Sequence, residues 1–183
     1  MLRGRREQRR EERETFGRGG NAAVYQVREK LFSIGDDLWI ENGAGERVFK
    51  VNGKALRVRK TLVFEDTEGR ELCKIQGRVL RVRDSMEIEG PDGERLAMVK
   101  KAVISPLRER WVVDRPDLPD LKVQGNILDH EYEIEEDGAK VAEVSKRWFR
   151  VRDTYGVEIA PGQDDILVLA VAAAIDAMTE GRD

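Results

Sequence analysis

The stretch DDILVLAVAAAIDAM, residues 164–178, limits the possible folds of this chain more than any other. It reads as a helix, with Asp164 and Asp165 at the start, where the macrodipole favours carboxylates, and Gly181 beyond its end. Between Ile166 and Ala177 only Asp176 is charged. A helix that is apolar all round has no face for water, so it belongs in a bilayer or inside a protein. From Ile166 to Met178 it spans about 20 Å at ~1.5 Å per residue, short of the ~30 Å hydrocarbon core of a membrane. The protein interior is therefore its expected place, and the rest of the chain must supply walls on every side of it. The alanines at 170, 172, 173, 174 and 177 keep it thin enough to be encircled.

Material for those walls begins at Ala22. Short alternating runs such as VYQVR, LWIE, RVFKV, LVFED, ELCKI and MEIEG are separated by Gly, Asn and Asp clusters, which is the pattern of half-buried antiparallel strands. Shifting the sequence by 24 residues exposes a repeat. Leu56, Val58, Phe64, Gly69, Leu72 and Ile75 fall on Leu80, Val82, Ile88, Gly93, Leu96 and Val99, and Phe32, Ile34, Ile40, Gly45, Val48 and Val51 hold the same places upstream. The period breaks after Ile104, with Pro116 and Pro119 marking a loop, and an echo returns in YEIEEDGAKVAEV around Gly138. Each copy sets a glycine between two strands, where a positive φ is needed and a Cβ would strain the turn. An open meander of such hairpins has two exposed edges, and closure into a barrel removes both. About eight strands leave room only for side chains, so ten to twelve are expected around a helix.

The totals bound the remainder. A chain of 183 residues is one domain, here 22–183, preceded by a tail over 1–21 with seven Arg, four Glu and little apolar surface to offset the entropy of ordering it. With 33 Lys plus Arg against 36 Asp plus Glu, the net charge of -3 provides no global field that would attract nucleic acid. The single cysteine, Cys73, and single histidine, His130, rule out an internal disulfide and a Cys/His zinc centre, and favour a reducing, cytosolic setting. The N-terminal MLRGRREQRR contains no apolar signal-peptide core, so the chain is expected to stay in the cytoplasm, possessing no transmembrane span.

Several sets of residues invite a functional reading. In LRVR the alternation puts Leu56, Val58, Leu80 and Val82 toward the core and Arg57, Arg59, Arg81 and Arg83 outward, and FRVRD repeats this with Arg150 and Arg152. In register, these arginines would form a cationic stripe able to hold phosphate groups bidentately. The competing reading pairs each with a neighbouring carboxylate on a salt-laced wall, and it extends to Lys100, Lys101, Arg108 and Arg110. His130 lacks a second His or Cys with which to bind metal and is expected at the surface. Cys73, placed on the face opposite Leu72 and Ile75, has no base nearby in sequence to activate it. Trp39, Trp111 and Trp148 lie in strand-like runs and are expected in the wall or core, with a rim position suiting a membrane interface. No G-x-S-x-G, Walker, Rossmann or H-E-x-x-H pattern occurs, so no catalytic residue and no cofactor is assigned.

Taken together, YQVREKLFSIGDDLWIENGAGERVFKVNGKALRVRKTLVFED, the 24-residue rhythm and the terminal VRDTYGVEIAPGQDDILVLAVAAAIDAM resemble the LURP-one-related family, relatives of the tubby C-terminal domain and the phospholipid scramblases, over roughly residues 22–179. The resemblance implies a closed antiparallel barrel of twelve strands around a hydrophobic C-terminal helix at about 164–179. It also implies a non-enzymatic module binding anionic phospholipid headgroups or a membrane surface, as tubby domains do through surface Lys and Arg; the alternative is a soluble scaffold that recruits a protein partner. In scramblases an acidic segment before the last helix is linked to calcium. The matching DTYGVEIAPGQDD keeps Asp153, Asp164 and Asp165, too few oxygen ligands for a cation that takes six or more, so no metal is expected.

Overall fold

The computed structural model describes residues 22–28, 38–56, 59–77, 85–102, 110–148 and 154–179, with the side chains of 28, 54–56 and 59–60 left aside. Twelve strands follow one another: β1 (Ala23–Arg28), β2 (Leu38–Asn42), β3 (Arg47–Leu56), β4 (Arg59–Asp66), β5 (Glu71–Gly77), β6 (Ser85–Glu89), β7 (Arg95–Ala102), β8 (Arg110–Arg115), β9 (Leu118–Asn126), β10 (Glu131–Glu136), β11 (Ala139–Ser145) and β12 (Thr154–Ile159). A 3-10 turn spans Lys146–Trp148, and helix α1 spans Asp165–Thr179. Each strand pairs with its sequence neighbours, and β1 pairs antiparallel with β12 from Ala23↔Ile159 to Arg28↔Thr154, which closes the barrel.

The 24-residue repeat is written into the backbone. Gly45, Gly69 and Gly93 have φ of 79°, 82° and 81°, so each turn depends on a residue that enters the left-handed region without strain. The backbone hydrogen bonds recur at the same spacing, Asn42 N to Glu46 O, Asp66 N to Arg70 O and Gly90 N to Glu94 O, at 2.8–3.0 Å. The strand registers shift at equivalent points as well, after Ile40, Phe64 and Ile88. Those three residues are buried, and so are Val51, Ile75 and Val99 on the partner strands, so one alternation faces all three hairpins inward. The echo is also present: Gly138, with φ of 86°, turns β10 into β11.

Inside lies α1. Its residues from Leu167 to Met178 are all buried, and it leans chiefly on β5, β6, β7 and β12. Asp164 caps it: the carboxylate Oδ1 accepts from the Leu167 N–H at 3.0 Å, satisfying one of the amides that a helix start leaves open. No described helix is long and apolar enough to cross a membrane.

Two expectations need correcting. Cys73 shares its face with Ile75, both fully buried, while Leu72 is the half-buried neighbour pointing the other way. Burial pushes the Cys73 thiol up to about 12, with the charges of Asp164 and Glu71 adding to it, so the thiol stays protonated and inert near neutral pH. His130 is not a surface residue; its side chain is 13% exposed and turns onto the helix.

Candidate functional site

Because every strand runs antiparallel to the next, the connections alternate between the two ends of the barrel. One end carries the tight glycine turns and the entry into α1, over residues 43–46, 67–70, 90–94, 116–117, 137–138 and 160–164. These hold seven acidic residues and one basic, Arg70. The segments that link the strands at the opposite end, 29–37, 57–58, 78–84, 103–109, 127–130 and 146–153, count ten basic and seven acidic residues in sequence, of which Lys146, Arg147 and Asp129 are among the described residues. Counted in sequence, the two sets of connections therefore differ in the sign of their formal charge, a difference that the net charge near zero of the whole chain conceals.

In sequence, the LRVR and FRVRD motifs lie next to strand boundaries. β3 stops at Leu56 and β4 starts at Arg59, which pair with each other; β6 starts at Ser85 and β12 at Thr154, just after the second and third motifs. The first LRVR therefore straddles a strand boundary. Arg57, Arg81, Arg83, Arg150 and Arg152 lie outside the described residues, and of Arg59 only the backbone is described, as the first residue of β4. On the described walls, cations pair with carboxylates as the competing reading expects. Lys100 meets Asp114 at 3.1 Å, Lys74 meets Glu71 at 3.4 Å, and Lys140 lies between Glu133 and Glu143 at 3.4 and 2.5 Å. Lys101 stands over the buried Trp111, 5.7 Å from the ring centroid.

Where α1 reaches the end opposite the glycine turns, the one charged residue of its apolar core meets its partners. Asp176 is 2% exposed; the Tyr155 hydroxyl donates to its Oδ2 at 2.6 Å, and His130 Nε2 lies 3.0 Å from Oδ1, a hydrogen bond in the tautomer protonated there. The His130 and Tyr155 rings stack at 4.4 Å. His130 reaches inward from the turn 127–130 in the left-handed region, φ 50°, a conformation that non-glycine residues adopt at some cost. The wholly buried Tyr132 stands nearby, and burial together with the negative charge of Asp176 raises its phenol well above the ordinary value. These groups are 21 to 46 residues apart in sequence, and no local spacing announces them. Their arrangement fastens helix to wall.

The 3-10 turn is anchored alongside. The Glu131 carboxylate accepts from the Ser145 hydroxyl at 3.0 Å and from the Lys146 N–H at 3.1 Å, and it faces Arg147 Nε at 3.6 Å. This places Trp148 at the rim, 38% exposed, rather than in a strand.

A barrel of twelve antiparallel strands wound round a buried helix is a scaffold whose interior is occupied by its own chain; its surfaces are what remain to meet a partner. The LURP-one-related family model matches residues 23–176, and the chain belongs to that family. An X-ray structure of a protein from Arabidopsis thaliana superposes with a TM-score of 0.63 at 16% identity, covering 85% of this chain and 90% of that one, a likeness of fold. No curated protein matches the sequence.

Proposed function

We propose that this barrel is a non-catalytic binding module that takes anionic phospholipid headgroups or an anionic membrane surface at its basic end, with Arg57, Arg59, Arg81, Arg83, Arg150 and Arg152 as the contacting residues. The observation that supports it is the difference in sequence charge between the two sets of strand connections: ten basic and seven acidic residues in one set, one basic and seven acidic in the other. Guanidinium groups suit phosphate because they present two parallel donors to it. The negative end of the α1 macrodipole lies at the same end of the barrel. Residence in the cytoplasm, peripheral to a membrane, belongs to the same proposal.

Co-sedimentation with phosphatidylserine-containing vesicles at low salt tests it. Binding should weaken steeply as salt rises, and Arg81→Glu with Arg83→Glu should reduce it at least tenfold, about 1.4 kcal/mol. Absence of binding at low salt, or binding unchanged in that double variant, sinks the lipid reading. The second reading, a protein-interaction scaffold, draws support from the wall lysines already neutralised by carboxylates, and would then stand in its place.

A further inference from the structure

Among the described residues the exposed large apolar side chains are Leu118 at the acidic end and Leu128 and Trp148 at the basic end. The last two are near each other in the topology. Leu128 lies three residues before Glu131, Trp148 lies three residues after Ser145, and Glu131 and Ser145 pair across β10 and β11. Both therefore project beyond the same pair of strand ends. Leu128 is 70% exposed while Ile127 beside it is 2% exposed, so the turn buries one aliphatic residue and extends the next. Trp148 rides on the 3-10 turn that Glu131 holds, and the Arg147 side chain preceding it is 83% exposed.

We propose that Leu128 and Trp148 form a wedge that enters the interfacial layer of an anionic bilayer and sets the barrel end-on to it, with α1 pointing its C-terminus at the membrane. This rests on the lipid reading above and adds to it an orientation and two residues. An exposed leucine gains by leaving water, and an indole, apolar in body and polar at its N–H, suits the headgroup layer. What favours a bilayer over a protein as occupant is charge complementarity. Lys146 and Arg147 directly precede the tryptophan, and in sequence Arg150 and Arg152 follow it, a set that attracts an anionic surface while the apolar tip inserts. Leu128 is itself followed by Asp129, so the complementarity comes from the Trp148 side of the pair; Leu118 at the acidic end, between Asp117 and Asp120, has no such basic neighbour beside it.

The test uses the full chain with vesicles of phosphatidylcholine and phosphatidylserine, plain or brominated in the acyl chains, and compares wild type with Trp148→Phe, Trp148→Ala and Leu128→Ala. Brominated lipid should quench and ordinary lipid should blue-shift an emission component that Trp148→Phe lacks, leaving Trp39 and the buried Trp111 unaffected. Leu128→Ala and Trp148→Ala should each bind about tenfold more weakly with an unchanged salt slope, because the lost contribution is apolar. Thermal midpoints matching wild type confirm that the exposed substitutions leave the fold intact. Vesicle binding with no quenched component, or with both alanine variants at wild-type affinity, overturns the wedge and leaves the lipid reading standing. If those variants keep vesicle affinity but lose self-association in sedimentation, the patch is a protein contact and the wedge is likewise overturned. Failure of wild type to bind vesicles at all overturns the lipid reading, and the wedge falls with it.

Discussion

The two ends of α1 are fastened by the same bond in different surroundings. At its start the Tyr25 hydroxyl donates to Asp165 Oδ2 at 2.6 Å, and near its finish Tyr155 donates to Asp176 Oδ2 at 2.6 Å. The first pair is half-buried, and its carboxylate sits in the first helical turn, where the macrodipole welcomes it. The second is buried, and its carboxyl group sits near the helix C-terminus, where the dipole opposes a negative charge. Identical geometry therefore does opposite work. At the entrance the bond adds to a helix start already favoured by Asp164; at the exit it compensates a group that would otherwise be costly to bury, and a second partner, His130, is recruited to complete the compensation.

That difference predicts unequal losses. Tyr155→Phe leaves a buried carboxyl group short of a donor and should cost about 2–3 kcal/mol in urea or thermal unfolding. A loss as small as that of the entrance pair would show that water reaches Asp176. His130→Asn is next. Asparagine tolerates the left-handed φ of 50° better, which recovers part of the strain, but the bond to Asp176 and the ring stack on Tyr155 are lost, and the net cost should be about 1–2 kcal/mol. If His130→Asn proves neutral, the histidine is a bystander and Tyr155 alone holds the helix exit. Tyr25→Phe should cost less, about 0.5–1 kcal/mol, since Asp165 can be rehydrated where it stands. The Tyr25 phenol, raised above its ordinary value by burial and then by Asp165, should remain protonated across the neutral range, so this small loss should not vary with neutral pH.

The contrast also marks what could be read from the sequence. The glycine turns and the inward alternation were legible because each is a local requirement: a positive φ at Gly45, Gly69 and Gly93 and a two-residue period around Ile40, Phe64 and Ile88 concern a dozen consecutive residues at most. Closure round the helix was legible for a different reason, since an apolar helix too short for a membrane has few other destinations. The His130–Asp176 contact was not, because it joins positions 46 residues apart and requires His130 to adopt a backbone conformation its residue type seldom takes. The one charge in the helical run was the available signal: a buried carboxyl group has to find donors, and the lone histidine was a candidate. Trp148 was misplaced in a strand because KRWFRV alternates plausibly, while the Glu131 carboxylate that pulls Lys146–Trp148 into a 3-10 turn lies across the sheet.

Level with the entrance fastening, the outer wall offers a control in which the helix takes no part. Glu158 of β12 stands opposite Glu143 of β11, and its carboxyl is raised above the ordinary value by burial first and by the Glu143 charge second, with Lys140 acting against them. A raised carboxyl binds its proton more tightly in the folded state than in the unfolded chain. Its contribution to stability is therefore fully present below the unfolded value and is lost as pH rises through the folded one. At neutral pH the ionised pair leaves a small residual penalty that Glu158→Gln removes, so the variant should be more stable than wild type by about half a kcal/mol or less. The advantage should shrink as the carboxyl regains its proton and vanish near about pH 4, as measured by urea unfolding across the range. A stabilisation that persists unchanged at low pH would assign the effect to packing at the wall instead of charge. Since Glu158 points away from α1, the same titration should leave the Tyr155→Phe deficit unaltered, separating the electrostatics of the wall from the polar clamp at the helix exit.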